Sequence, residues 1–277
     1  MKIDSHQHFW QYTAEEYAWI GPDQTVLQTD YLPTDLAGLL ASAGIDGSVA
    51  VQARQTLAET AWLLALADQD PIVKGVVGWA DLCSPDLRGQ VEPFLDHPRF
   101  CGLRHILHDE PDDGYMLRDD FVRGVGMLGQ LDLAYDLLIR PQHLRLACEL
   151  VGRFPDQRFV VDHIAKPLIK DRTLSPWDSQ IRQLASFDNV CCKVSGMVTE
   201  ADPTDLSAGA FKPYLDVVFE AFGTKRLMIG SDWPVCLLAA SYADVIEIVA
   251  DYLTALSEDE QTDVWGQTAT VFYKLKP

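Results

Sequence analysis

The stretch GSVAVQARQTLAETAWLLALADQDPIVKGVVGW, residues 47–79, holds one complete strand–helix–strand unit. Gly47 to Val51 is a short β-branched run that ends at the polar pair Gln52 and Arg54. Thr56 to Gln69 then carries apolar side chains at three- and four-residue intervals, the spacing of one helix face. Val73 to Trp79 is again β-branched. Short apolar strands alternating with longer helical segments are the signature of βα units that build a parallel sheet.

The same alternation extends in both directions. Further strand-like runs are Lys2 to Asp4, Cys101 to Arg104, Leu133 to Leu138, Arg158 to Val161, Val190 to Val194 and Arg226 to Ile229, which brings the count to eight. Helical periodicity recurs over Gln142 to Phe154, opened by Pro141, and over Phe211 to Phe222, closed by Gly223. Glu258 to Lys274 reads as a closing helix. Eight units in 277 residues match the ~250 residues of a (β/α)8 TIM-like barrel, so one barrel domain over residues 1–277 is predicted, in preference to a doubly wound open sheet.

Composition narrows the function. Hydrophobic residues make up 48% of the chain, enough for one large core. A formal net charge of -19 repels a phosphate backbone and disfavours nucleic acid as a partner; more weakly, it favours a neutral substrate over an anionic one. No apolar run reaches the ~18 residues of a membrane span, and the opening MKIDSHQHFW lacks the hydrophobic stretch of a signal peptide, which predicts a cytoplasmic protein without a membrane partner. The six cysteines contain no Cys-x-x-Cys pair and most sit in apolar runs, so neither a disulfide framework nor a zinc ribbon is expected. Monomer and homodimer are both open.

In a barrel the reacting groups sit beyond the C-terminal ends of the strands. In this chain those positions carry Asp4, His6 and His8, then Gln52 and Arg54, Asp81, Arg104 and His105, Asp136, Asp162 and His163, Ser195, and finally Ser231, Asp232 and Trp233. His6 and His8 are two apart, which in an extended segment aims both imidazoles to one side, as a shared metal requires; the bland alternative is a solvated turn. Asp232 interrupts Ile229-Gly230-Ser231-Asp232-Trp233-Pro234 and reads either as a turn residue or as a rim carboxylate whose pKa a dry pocket raises into the range of a usable base. His163 is a general acid–base candidate or a core histidine bonded to a carbonyl. Lys166 is a surface cation or a ligand for a substrate oxygen, and Arg104 needs a carboxylate, a carbonyl or a hydroxyl-rich ligand to justify its desolvation. Phe9, Trp10, Trp19, Trp79 and Trp233 cluster with these positions, and an aromatic at the mouth offers a surface on which a sugar ring lies.

Taken together, Asp4-Ser5-His6-Gln7-His8-Phe9-Trp10, Asp162-His163-Ile164-Ala165-Lys166-Pro167, Lys193-Val194-Ser195-Gly196-Met197 and Gly230-Ser231-Asp232-Trp233-Pro234 resemble the amidohydrolase-2 family. Within it they resemble the branch of sugar-lactone hydrolases that includes L-fuconolactonases and L-rhamnonolactonases. The resemblance implies a distorted barrel in which water attacks an ester or lactone carbonyl at the strand ends. It assigns His6 and His8 to the first-strand pair, His163 to the sixth-strand histidine and Asp232 to the eighth-strand carboxylate. The wider superfamily has a bridging lysine after the fourth strand and a histidine on the fifth; this chain has Arg104 and His105, and Asp136. Arginine cannot be deprotonated to serve as a ligand, which argues against two metals and leaves one divalent ion, zinc the best match, or none.

The expectation is therefore a lactonase in which Asp232 and His163 are catalytic and His6, His8 and Asp232 hold any metal. Gln52, Arg54, Arg104, His105, Lys166 and Trp233 are expected to bind the substrate. The rival readings are a metal-dependent decarboxylase of aromatic or unsaturated acids on the same scaffold, and a barrel that binds a small molecule without catalysis.

Overall fold

The structure, a computed structural model, describes residues 1–276. Eight strands run in chain order: β1 (Ile3–Gln7), β2 (Gly47–Val51), β3 (Val73–Gly78), β4 (Phe100–His105), β5 (Ala134–Leu137), β6 (Phe159–Val161), β7 (Val190–Val194) and β8 (Leu227–Ile229). Each pairs in parallel with the next, in the order β1 to β8. The helices α1 (Pro33–Ala43), α2 (Leu57–Gln69), α3 (Leu87–Val91), α4 (Asp119–Leu128), α5 (Leu144–Gly152), α6 (Trp177–Ala185) and α7 (Ala208–Phe222) fill the crossovers, and α8 (Tyr242–Leu253) follows β8. The predicted (β/α)8 barrel is thus the fold.

Local chemistry sets the boundaries. Pro33 opens α1 and Gly44, at φ 65°, ends it in the left-handed conformation that a residue without Cβ adopts at least cost. Thr56 caps α2 by accepting from the Glu59 amide. The predicted closing helix is interrupted: α9 (Glu258–Thr262) and α10 (Thr268–Tyr273) flank a wider turn, because the backbone of Met1 and Ile3 packs directly on Gly266. β1 runs on past Asp4 to Gln7, so His6 lies within a strand rather than after one.

The interior is divided by height. Ile3, Val49, Val51, Val77, Cys101, Ala134, Val160 and Met228 form an apolar layer with Phe272, Tyr273 and Leu275 of the C-terminal segment. The larger core lies between the strands and the surrounding helices. Above the inner layer the side chains turn polar, and the barrel closes there. The His8 amide donates to the Trp233 carbonyl at 2.7 Å and the Asp232 amide to the His6 carbonyl at 2.8 Å. These seam bonds between the extensions of β1 and β8 hold His6 and His8 beside Asp232. Gly230 permits the approach, since a Cβ there would come within 2.6 Å of the His6 Cβ.

Candidate active site

Three groups from the two ends of the chain meet at the seam. His6 Nε2 and His8 Nε2 lie 3.3 Å apart, His8 Nε2 lies 3.4 Å from Asp232 Oδ1, and His6 Nε2 lies 3.8 Å from the same oxygen. His163 Nε2 reaches that oxygen from the other side at 3.8 Å. His8 Nδ1 lies 2.7 Å from the Val51 carbonyl, an acceptor only, so that nitrogen carries the ring proton and Nε2 is a lone pair. His163 Nδ1 bonds Ser195 Oγ at 2.9 Å.

The loop that presents His163 is strained. His163, Ile164, Ala165 and Lys166 all have positive φ, between 47° and 61°, and so does Asp232 at 58°. Each such non-glycine residue costs on the order of 1 kcal/mol or more and persists only where its surroundings dictate it. Here Trp177 Nε1 donates to the Ile164 carbonyl at 2.8 Å, and the Lys166 amide returns to the His163 carbonyl at 2.8 Å. The turn throws His163 and Lys166 toward the same pocket as Asp232.

Beneath these groups lies a buried array of charges. Arg104 on β4 donates from Nε to Gln52 Oε1 at 3.0 Å, from Nη2 to Gln52 Oε1 at 2.8 Å and to the Gln52 carbonyl, and from Nη1 to Asp162 Oδ2 at 3.1 Å. Its Nη1 is also 3.1 Å from His6 Nε2. Lys193 on β7, wholly buried, contacts Asp136, Asp162 Oδ1 at 3.1 Å and His6 Nδ1 at 3.2 Å. Tyr273 on α10 donates to the same Asp136 oxygen at 2.7 Å from below. Buried ionic groups cost several kcal/mol apiece unless mutually paired, and here two cations face two carboxylates.

Burial sets the protonation of the imidazoles. It pushes His163 down to about 3 against the opposing pull of Asp232, pushes His6 well below the ordinary histidine value despite Asp162, and lowers His8 as well. All three are therefore neutral near pH 7 and offer lone pairs. Asp232 departs from the sequence expectation of a raised pKa. Burial does act upward, but the surrounding rings of His163, His8 and His6 outweigh it and hold the carboxyl below its usual range. The expectation counted the dry pocket and not the number of imidazoles around one carboxylate.

His6, His8 and Asp232 can hold a metal ion. Two ligand atoms ~2.0–2.1 Å from a tetrahedral ion lie about 3.3 Å apart, close to the observed 3.3 and 3.4 Å separations, while 3.8 Å asks for a small closing movement. A lone pair of His8 facing an ionised carboxylate also calls for a positive charge between them. His6, Asp162 and His163 form a second cluster of ligand-type atoms, but Lys193 and Arg104 already pair with Asp162.

The pocket above, about 160 Å³, is lined by His8, Trp19, Arg104, His108, His163, Lys166 and Asp232 among others. Lys166 there pairs with Glu200 at 2.8 Å. Other expected binding residues are engaged elsewhere. Gln52 grips Arg104, and Arg54 bonds Glu16 at 2.5 Å and lies over the Tyr17 ring. His105 Nδ1 accepts from Trp79 Nε1 at 3.4 Å, so Nε2–H donates to Glu110 at 2.7 Å. The Trp233 ring is buried against Phe9 and Tyr31. A larger hollow of about 310 Å³ between α7 and α8, lined by Phe211, Leu215, Ile248 and Tyr252, lies away from this chemistry and contains no imidazole. The sequence reading gave no role to His108 or Lys193; a lone lysine inside the apolar run Val190 to Val194 was the available signal for the second.

Similar proteins match the chain over nearly its whole length. The amidohydrolase family profile matches residues 3–275. An L-fucono-1,5-lactonase of Burkholderia multivorans is 41% identical over 288 residues, covering 99% of this chain and 96% of its own, and one of Burkholderia ambifaria is 38% identical with the same coverage. The crystal structure of an amidohydrolase from Burkholderia multivorans with bound zinc superposes with a TM-score of 0.96 at 42% identity, covering all of both chains.

Proposed function

The chain belongs to the amidohydrolase family, and from that premise we propose that it opens a sugar-acid lactone, L-fuconolactone or a related aldonolactone, to the free acid by attack of water on the lactone carbonyl. The observation that carries the reading is the convergence of Asp232 with three neutral imidazoles, of which His8 and His163 line a small pocket with it. His6, His8 and Asp232 are the residues that would hold a single divalent ion, with the zinc-bound relative favouring zinc. Such an ion supplies Lewis acidity, lowering the pKa of a water and polarising the carbonyl.

The protein's own groups divide the work. Ionised Asp232 accepts a proton from the attacking water as the new C–O bond forms. A carboxyl held below its normal range is a weak base, so it needs the water oriented, a task that falls to His8 and His163 on either side of Oδ1. His163, neutral and with Nδ1 engaged by Ser195, offers Nε2 toward the pocket, where it stands beside the developing oxyanion. The ring C–O bond then breaks. Protonated Asp232 then returns its proton to the leaving sugar alkoxide. The product carboxylic acid ionises and releases one proton to solvent.

The pocket's charge pattern favours a neutral substrate over the carboxylate that a decarboxylase must grip. Arg104 directs its donors to Gln52, Asp162 and His6, and Lys166 is paired with Glu200, so neither presents a free cation. Trp19, 40% exposed at the pocket wall, supplies apolar surface for a sugar ring.

The test is acid release followed with a pH indicator on a panel of sugar-acid lactones, for wild type and Asp232→Asn. We expect rapid hydrolysis by wild type and a loss of about 10²–10⁴-fold in the variant, the range for a missing acid–base group. No hydrolysis of any lactone by wild type would overturn the substrate class, and near-normal turnover by Asp232→Asn would overturn the role of that carboxylate.

A further inference from the structure

The two histidines at the seam differ in how their protons are fixed. His8 is locked by the Val51 carbonyl, whereas His6 Nδ1 faces two partners of opposite demand. Lys193 Nζ lies 3.2 Å away and, being an ammonium, can only donate; it requires a lone pair on Nδ1 and so leaves the ring proton on Nε2. Asp162 Oδ1 lies 3.4 Å away and can only accept; it requires the proton on Nδ1 and leaves the lone pair on Nε2.

The two tautomers have opposite consequences for the triangle of His6, His8 and Asp232. With its proton on Nε2, His6 donates across 3.3 Å to the lone pair of His8, and the space between the ligands is filled by a protein hydrogen bond. With its proton on Nδ1, His6 Nε2 becomes the third ligand atom beside His8 Nε2 and Asp232 Oδ1. Arg104 Nη1, 3.1 Å from Nε2, can donate to this open tautomer only, so it and Asp162 oppose Lys193.

We propose that Lys193 is a positioning residue that biases His6 toward the closed tautomer and thereby holds the metal affinity of the triangle low, so that the ion is exchangeable rather than structural. Lys193 is suited to this because it cannot move away. Its ammonium is wholly buried, Asp136 accepts one of its protons, Asp162 attracts its charge across 3.1 Å, and Tyr273 from α10 pins Asp136 in turn. Burial also keeps solvent ions from screening it.

The experiment titrates metal-free protein with zinc in competition with a chromophoric chelator, for wild type, Lys193→Met and His8→Ala. Partners of a ligating histidine shift metal affinity by about 10–100-fold, and for Lys193→Met we expect a shift of that size toward tighter binding, the direction opposite to the effect of damaging a site. In the metal-free protein, nitrogen-15 NMR of labelled histidines reports the His6 tautomer, which is expected to move toward Nδ1–H in the variant. Should the unpaired Asp136 unfold Lys193→Met, Lys193→Met/Asp136→Asn restores the charge balance and answers the same question. Equal or weaker zinc binding in a folded variant, or an unchanged tautomer, overturns the proposal. Zinc binding that His8→Ala leaves intact would locate the ion outside the triangle and overturn both this inference and the metal part of the proposed function, while the lactone assay stands apart from either.

Discussion

Gln52 and Arg104 are locked in one orientation: the Gln52 side-chain oxygen accepts from both Nε and Nη2 of the guanidinium, and its backbone carbonyl accepts from Nη2 again. The strand end of β2 thus aims the cation on β4, and the far side of that cation holds Asp162 and touches His6. Only a planar fork with five donors satisfies this set.

Arg104→Lys keeps the charge and loses the fork. The buried Gln52 oxygens and Asp162 are then left short of donors, at about 1–3 kcal/mol for each unsatisfied group. We expect a lower melting temperature and, because displacement of a reacting group by about 1 Å costs on the order of 10²-fold, a fall in kcat/KM of that size. Lactone hydrolysis at wild-type efficiency by Arg104→Lys would show that the positive charge alone suffices.

Gly196 stands directly under the His163 ring. It has φ 59°, and a Cβ built there would lie 2.6 Å from His163 Cγ. Gly196→Ala therefore pushes the imidazole off Ser195 and adds a left-handed alanine at roughly 1 kcal/mol. The expected result is a folded protein with kcat/KM reduced on the order of 10²-fold, while Gly209→Ala, whose Cβ meets nothing closer than 3.8 Å, leaves activity unchanged. Equal activity in the two variants would mean that the position of His163 is unimportant.

Much of this was legible in the sequence because parallel barrels write themselves in short apolar runs. All eight runs are strands, and the polar residues that end them reach the rim in register. His8, His163, Arg104, Lys166 and Asp232 come together around one pocket, with His6 buried beside Asp232, because their strand ends do. What strand-end position does not carry is direction. Arg54 and His105 stand at equivalent places, yet Glu16 and Glu110, residues with no periodicity to announce them, draw them elsewhere. The depressed pKa of Asp232 was equally hidden, since it depends on three rings contributed by β1 and the loop after β6.

Glu59 gives the fold a pH dependence with a definite sign. Its Oε2 accepts from the amides of Ala53 and Arg54 and so shapes the loop that carries Gln52, but burial, opposed by those two bonds, pushes its carboxyl from 4.5 up to about 7. The folded protein thus binds this proton more tightly than the unfolded chain. The stabilisation is complete below pH 4.5 and is lost as pH rises through about 7. Glu59→Gln retains an acceptor for both amides and removes the titration. Between pH 5 and 8 the unfolding free energy of wild type should therefore fall relative to that of the variant by on the order of 3 kcal/mol. Asp4 and Asp136, each raised by burial to about 6, act in the same direction, and His163, lowered to about 3, acts in the opposite one, but all three are common to both proteins and cancel in the difference. Denaturant unfolding of the pair at the two pH values measures it, and parallel pH dependences would mean that Glu59 is ionised in the folded protein throughout.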